Sequence, residues 1–191
     1  MDIVVKDLIQ RLRTANDKVF VAGGFVRDTL MDNPGYRDVD VFLPVINSGN
    51  YRNEIDTILR TNVFGKSFNF THTSAPEDGY PTMHTQIPQV YHCTFYGIHL
   101  DIVPFVLQKG QTTSPQNVLD TFDFGINQCA YDGENVVQTT ACENDIKNRT
   151  LTLTNLKSIE ELPKIMYQAA RLQALYGLTF QTDIIEVKEK K

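Results

Sequence analysis

The sequence predicts an α/β (α+β) domain: a mixed β-sheet flanked by helices, followed by a short C-terminal helical neck. Three observations predict it. A strand-like run at 19–22 and an alternating strand at 38–42 are separated by a helix-like segment. Residues 66–107 read as mostly β, and residues 158–176 repeat apolar side chains at helical spacing. With 191 residues, 41% apolar and 21% charged, the chain has the balance of a globular protein with a substantial core. The expected division is a head at 1–139 and a small neck-like helical segment with a basic tail at 140–191.

Residues 2–15 form an amphipathic helix, with Val4, Val5, Leu8, Ile9 and Leu12 turned inward. Val19, Phe20, Val21 and Ala22 make a buried strand that stops at Gly23-Gly24, where the backbone needs a positive φ or a close approach to a ligand. Phe25, Val26 and Leu30 give a short helix one apolar side, and Asn33-Pro34-Gly35 ends it. In the next strand, period two sends Asp38 and Asp40 to one face and Val39 and Val41 to the other.

Two carboxylates on one strand face raise each other's pKa, and a divalent cation removes that penalty. A hard cation such as Mg²⁺, or Mn²⁺ in its place, takes a few carboxylate oxygens and completes its shell with substrate phosphates. The neighbouring glycine turn opens a helix, whose free N–H groups favour an anion. Metal carboxylates beside a phosphate cradle point to phosphoryl or nucleotidyl transfer. The same spacing also fits a strand-turn-helix with a solvated acidic edge.

Further along, residues 47–50 form a turn and residues 51–61 a second helix, with Ile55, Ile58 and Leu59 inward. A strand at 66–72 is followed by a loop at 73–81. Residues 89–96 make a strand, Gly97 a tight turn, and residues 99–105 the partner strand, with Pro104 marking a strand end or an edge. Asp101 stands among Leu100, Ile102 and Val103, and a carboxylate in an apolar strand needs a reason. His99 shares its face, as a neighbour of a site or an exposed residue. His72, His84 and His92 lack ligand spacing and read as surface or satisfied core residues. Residues 110–118 read as a polar loop, Asp132-Gly133 as a turn, and 150–155 as an alternating segment. A long helix spans 158–176, with Ser158 and Glu161 as its capping box and Gly177 as its stop.

GGFVRD followed by RDVDVFLP resembles the signature of the DNA polymerase beta nucleotidyltransferase superfamily, and within it the class II branch of bacterial CCA-adding enzymes and poly(A) polymerases. FDFGINQCAYD is similar to a second motif of that branch, R-R-D-F-T-I-N-A-x-A-Y. The resemblance spans residues 18–180 and implies a minimal catalytic core. It implies that Asp38, Asp40 and Asp101 are catalytic and hold two Mg²⁺ ions. It further implies that Gly23, Gly24 and Arg27 cradle phosphates, that Asp123 and Asn127 hold the incoming nucleotide, and that Arg171 matches a nucleotide-binding arginine. Asp28 is structural at the site. Two departures stand out. Thr121 and Phe122 replace the motif's arginines, so a triphosphate needs other cations, with Arg27, Lys109 and Arg149 as candidates. Of the branch's base-reading E-D-x-x-R element, aligned on residues 161–165, only Glu161 survives.

A net charge of −5 argues against an extensive nucleic-acid grip, and the dense basic run is confined to 188–191. Cys93, Cys129 and Cys142 are odd in number and lack C-x-x-C spacing, which fits a reducing cytoplasm. No signal peptide or membrane-spanning run is present in the sequence. The expected activity is transfer of a nucleoside monophosphate from an NTP to an acceptor hydroxyl, with a tRNA or other RNA 3′ end as the expected partner. Two alternatives stay open: an inactive nucleotide- or RNA-binding module, and a toxin-like transferase acting on a tRNA, a protein or a small molecule.

Overall fold

The computed structural model describes residues 1–33, 35, 38–46, 51–65, 70–73, 89–107, 114–156 and 158–181, without the side chains of 46, 51, 72, 73, 106 and 107. Helix α1 (Ile3–Arg13) is capped by Asp2, whose carboxylate accepts the Val4 N–H at 2.7 Å, and it buries Val5, Leu8, Ile9 and Leu12. Strand β1 (Phe20–Ala22) leads through the glycine turn into α2 (Gly24–Leu30), and β2 (Asp38–Ile46) follows. Helix α3 (Tyr51–Ile58) continues as a π-helical stretch, Leu59–Phe64, longer than the sequence predicts; Ile55, Ile58 and Leu59 are buried as expected.

Strands β3 (Thr71–Thr73), β4 (Val90–Phe95), β5 (Ile98–Leu107), β6 (Cys129–Tyr131) and β7 (Val136–Gln138) complete a seven-stranded sheet in the order β3-β4-β5-β2-β1-β6-β7. Within this sheet, among the described residues, β2 and β5 pair in parallel and the other pairs are antiparallel, so the sheet is mixed, as the sequence predicts. One face carries Val21, Val39, Val41, Leu100 and Ile102 against α1, α2 and α3. The other holds Phe20, Phe42, Val103 and Phe105, closed by Val118 and Leu119 of α4 (Pro115–Leu119). Phe20 and Phe42 stack with ring centroids 5.3 Å apart. By strand alternation, Asp38, Asp40 and Asp101 lie on this second face, beyond the end of its aromatic core.

A third core joins Phe124 and Ile126 to Leu151, Leu153, Ile165, Ala169, Leu172 and Tyr176. It packs α5 (Thr140–Asn148), β8 (Thr150–Thr152), α6 (Leu162–Tyr176) and β9 (Thr179–Gln181), with β8 and β9 paired in parallel. The C-terminal segment is therefore fastened to residues 124–126 by a core that straddles position 139. Asp145 is 1% exposed and accepts hydrogen bonds from Thr150 and Thr152, which fixes α5 to β8.

Several expectations change. Strand β5 does not end at Pro104 but runs to Leu107. Its pairing with β4 stops at Ile102, so a residue without an N–H is tolerated there beside β2. The expected loop at 110–118 contains α4, because Pro115 suits a first helical turn and Val118 and Leu119 have a core to enter. The expected capping box also fails. The Ser158 side chain makes no cap bond, a 3-10 turn covers Ile159–Glu161, and α6 starts at Leu162 with Pro163 in its first turn. On α6 only Ile165, Ala169, Leu172 and Tyr176 are buried, while Leu162, Met166 and Leu175 face outward. Gly177 stops the helix at φ 61 as predicted. The expected turn at 47–50, the strand residues 66–69, the loop at 74–81, His84, Lys109 and the basic run at 188–191 lie outside the described residues.

Candidate active site

The site is built on the break between β1 and α2. Gly23 has φ 80, and its N–H donates to the Cys129 carbonyl at 2.9 Å, so the turn is tied to β6. A Cβ placed on Gly23 would lie 3.6 Å from the Phe122 ring and 3.7 Å from Asp40 Oδ2. The glycine thus lets Phe122 and the acidic strand approach the same short piece of backbone. On β2, Asp38 is exposed and Asp40 half-buried, while Val39 and Val41 are buried on the opposite face.

The parallel register of β2 and β5 sets Asp40 opposite Asp101 and Asp38 opposite His99. Register partners on neighbouring strands point to the same face, so Asp40 and Asp101 are immediate neighbours there. His99 is exposed. On the far side of Asp101 stands His92 of β4, whose Nδ1 lies 2.8 Å from Asp101 Oδ1. Cys93, the next residue, is pushed up to about 12, first by burial and then by the Asp101 charge. All three cysteines are free thiols.

Asp38 and Asp40 open into a cleft of about 300 Å³, which Gly23 and Gly24 also line. Residues 121–124 and Asn127 line it from the segment before β6, and Gln168, Arg171 and Leu175 from α6. Asp101 is not among the lining residues. Arg27 borders the cleft but is 7% exposed and heavily engaged. It pairs with Asp28 at 2.6 Å, donates to Asn127 Oδ1 at 2.6 Å, and lies 4.9 Å from the Tyr176 ring centroid. Asp28, 4% exposed, accepts from both Arg27 and Tyr176. Arg171 is exposed and faces the cleft from α6. Arg149 is not among the lining residues: it caps α5 and donates to the Tyr176 carbonyl at 2.9 Å.

Among the described residues no three His, Cys, Asp or Glu side chains are gathered closely enough to hold a metal by themselves. The residues fit a hard divalent cation in a different way. Adjacent carboxylates on one face supply a few oxygens, and such a cation completes its shell with phosphate and water. The sequence reading missed His92, Gln168 and Tyr176. His92 had a usable signal, because a two-residue turn at Tyr96-Gly97 forces it opposite Asp101. Gln168 had another, standing three residues before Arg171 on the same helical face.

A profile of the Gabija anti-defense 2 family matches residues 2–149. The chain belongs to that family. No protein of curated function matches the sequence. Among solved structures, a CCA-adding enzyme bound to CTP shares the fold with a TM-score of 0.64 and 17% identity, over 95% of this chain and 40% of that one. The Thermotoga maritima CCA-adding enzyme complexed with tRNA gives a TM-score of 0.62 and 16% identity, over 93% and 38%. A tRNA-processing enzyme gives 0.59 and 17%, over 93% and 43%. This Gabija anti-defense 2 family member therefore has a nucleotidyltransferase fold and spans about two fifths of the length of those proteins. Among the described residues no helix is long and apolar enough to cross a membrane.

Proposed function

We propose that the chain is a metal-dependent nucleotidyltransferase that moves a nucleoside monophosphate from an NTP to an acceptor hydroxyl and releases pyrophosphate. The observation that carries this reading is the register of β2 and β5, which sets Asp40 beside Asp101 with Asp38 on the same face, at a cleft bordered by a glycine turn. In this reading Asp38, Asp40 and Asp101 hold Mg²⁺, or Mn²⁺ in its place. When bound, the cation neutralises phosphate charge and eases deprotonation of the acceptor hydroxyl. Gly23 and Gly24 give the phosphates close access to backbone, with Arg27 behind them. Asp123 and Asn127 hold the sugar end, and Arg171 meets the nucleotide from α6. Asp28 is structural. The acceptor hydroxyl loses its proton to solvent, its oxygen bonds to the α-phosphorus, the bond from that phosphorus to the oxygen bridging to the β-phosphate breaks, and pyrophosphate leaves. In this reading residues 1–139 act as the head and 140–191 as a small neck-like helical segment with a basic tail, its helix α6 lining the cleft.

The likeness to proteins solved with CTP and with tRNA supports an NTP donor and an RNA 3′ end as acceptor. Membership in an anti-defense family favours a second acceptor class, a component of the Gabija system itself. Incubation with each labelled NTP and Mg²⁺ against total tRNA, protein lysate and small acceptors separates these readings. We expect label to enter one pool with wild-type protein and to fall by at least about a thousandfold with Asp40→Ala. Equal labelling by a folded Asp40→Ala variant removes the assignment. Tight NTP binding with no pyrophosphate release on any acceptor would instead identify an inactive binding module.

A further inference from the structure

His92, Asp101 and Asp40 stand side by side on β4, β5 and β2, on one face of the sheet. The row is set by local geometry. Tyr96 at φ 46 and Gly97 at φ 85 make a two-residue turn that pairs Phe95 with Ile98, and counting back from it places His92 opposite Asp101. The two side chains are 29% and 23% exposed, so water competes only in part for their 2.8 Å contact. Asp101 is held from the β4 side and has Asp40 on its other side.

We propose that His92 is a positioning residue for the cation site, an inference that rests on the nucleotidyl-transfer reading. Its Nδ1–H donates to Asp101 Oδ1 and fixes that carboxylate's rotamer on the sheet face it shares with Asp40. A free aspartate rotates about its terminal torsion, and a cation must then pay to stop it. A carboxylate already anchored by a neighbouring donor loses less freedom on binding, which is why partners behind metal ligands are commonly worth ten- to a hundredfold in metal affinity.

The test measures Mn²⁺ affinity by electron paramagnetic resonance, with and without a non-hydrolysable NTP analogue, so the readout does not depend on turnover. His92→Leu removes the donor, His92→Asn restores a donor close to the Nδ1 position, and His92→Gln places one at the Nε2 position instead. We expect the Leu and Gln variants to bind Mn²⁺ at least about tenfold more weakly than wild type, and the Asn variant to recover to within about threefold. Thermal melts select the folded variants, and either Leu or Gln suffices for the comparison with Asn. Unchanged Mn²⁺ affinity in folded Leu or Gln variants, with binding lost in Asp40→Ala, overturns the role of His92 and leaves nucleotidyl transfer standing. Failure of Asn to recover binding also overturns it, because a donor at the Nδ1 position would then not account for the role of His92. A wild-type protein that binds no Mn²⁺ under either condition overturns both.

Discussion

Tyr176 donates its hydroxyl proton to Asp28 Oδ1 across 2.5 Å, joining the last turn of α6 to the helix that leaves the glycine turn. The two residues are 148 positions apart, and both are nearly excluded from water. A buried carboxylate needs its charge and lone pairs met, and Asp28 meets them with Tyr176 and Arg27. The bond therefore sets the placement of α6, and with it Gln168 and Arg171, relative to Gly23 and Asp40.

Tyr176→Phe keeps the ring over Arg27 and removes only the hydroxyl. We expect a loss of about 1–3 kcal/mol in denaturant unfolding, since a buried acceptor loses a donor. Burial, followed by the bond to Asp28, pushes the Tyr176 phenol above its ordinary range. The folded state thus favours the neutral phenol. That contribution is complete below the ordinary tyrosine value of about 10 and is lost as pH rises through the elevated one. Stability of the wild-type protein should therefore fall more steeply above about pH 10 than that of Tyr176→Phe. Parallel alkaline limbs in a pH series of thermal melts would count against this bond.

Gly23 sits at φ 80 and ψ −134, a region that residues with a Cβ rarely occupy. Its surroundings leave ordinary contact distances to Phe122 and Asp40, so the cost of a side chain there lies in the backbone. Gly23→Ala should lower stability by about 1–3 kcal/mol. It should also weaken nucleotide binding further than the loss of stability explains, because the turn must shift away from the cleft. A thermal melt beside calorimetry with an NTP analogue checks both, and an Ala variant as stable as wild type would show that the turn relaxes freely.

What was legible in the sequence is what local chemistry dictates. The run Val19–Ala22, the glycine pair and the alternation around Asp38 and Asp40 specify strand, turn and strand without help from distant contacts. Asp101 stood out because a carboxylate among Leu100, Ile102 and Val103 has no local reason to be there. Less visible were contacts made by the third dimension. Nothing in the local sequence singles out Asp145, which Thr150 and Thr152 close over in the fold. Arg27 looks like a phosphate ligand in a motif, yet most of its hydrogen-bonding fork is taken by Asp28, Asn127 and Tyr176. Helix α4 was hidden because its five residues carry only two buried side chains, too few for a period to show.

The charge of the cleft gives the last expectation. Among the described residues its lining brings four carboxylates, Asp28, Asp38, Asp40 and Asp123, against two guanidiniums, Arg27 and Arg171. Arg27 is already paired with Asp28, and Arg171 is exposed at the cleft's edge. A triphosphate carries several negative charges, and like charges in a partly dry cleft repel strongly. The positions that would have brought two more arginines hold Thr121 and Phe122. Nucleotide binding should therefore depend on divalent cation more completely than in a cleft lined with arginines. We expect calorimetric binding of a non-hydrolysable NTP in Mg²⁺ to weaken by at least about a hundredfold when EDTA removes the ion, a loss of about 2.7 kcal/mol. Arg171→Ala should weaken the Mg²⁺-bound complex by roughly tenfold, because this exposed guanidinium is offset by nearby acids. Binding that survives EDTA unchanged would mean that the protein's own cations carry the phosphates, and the cation would then have no part in holding the nucleotide.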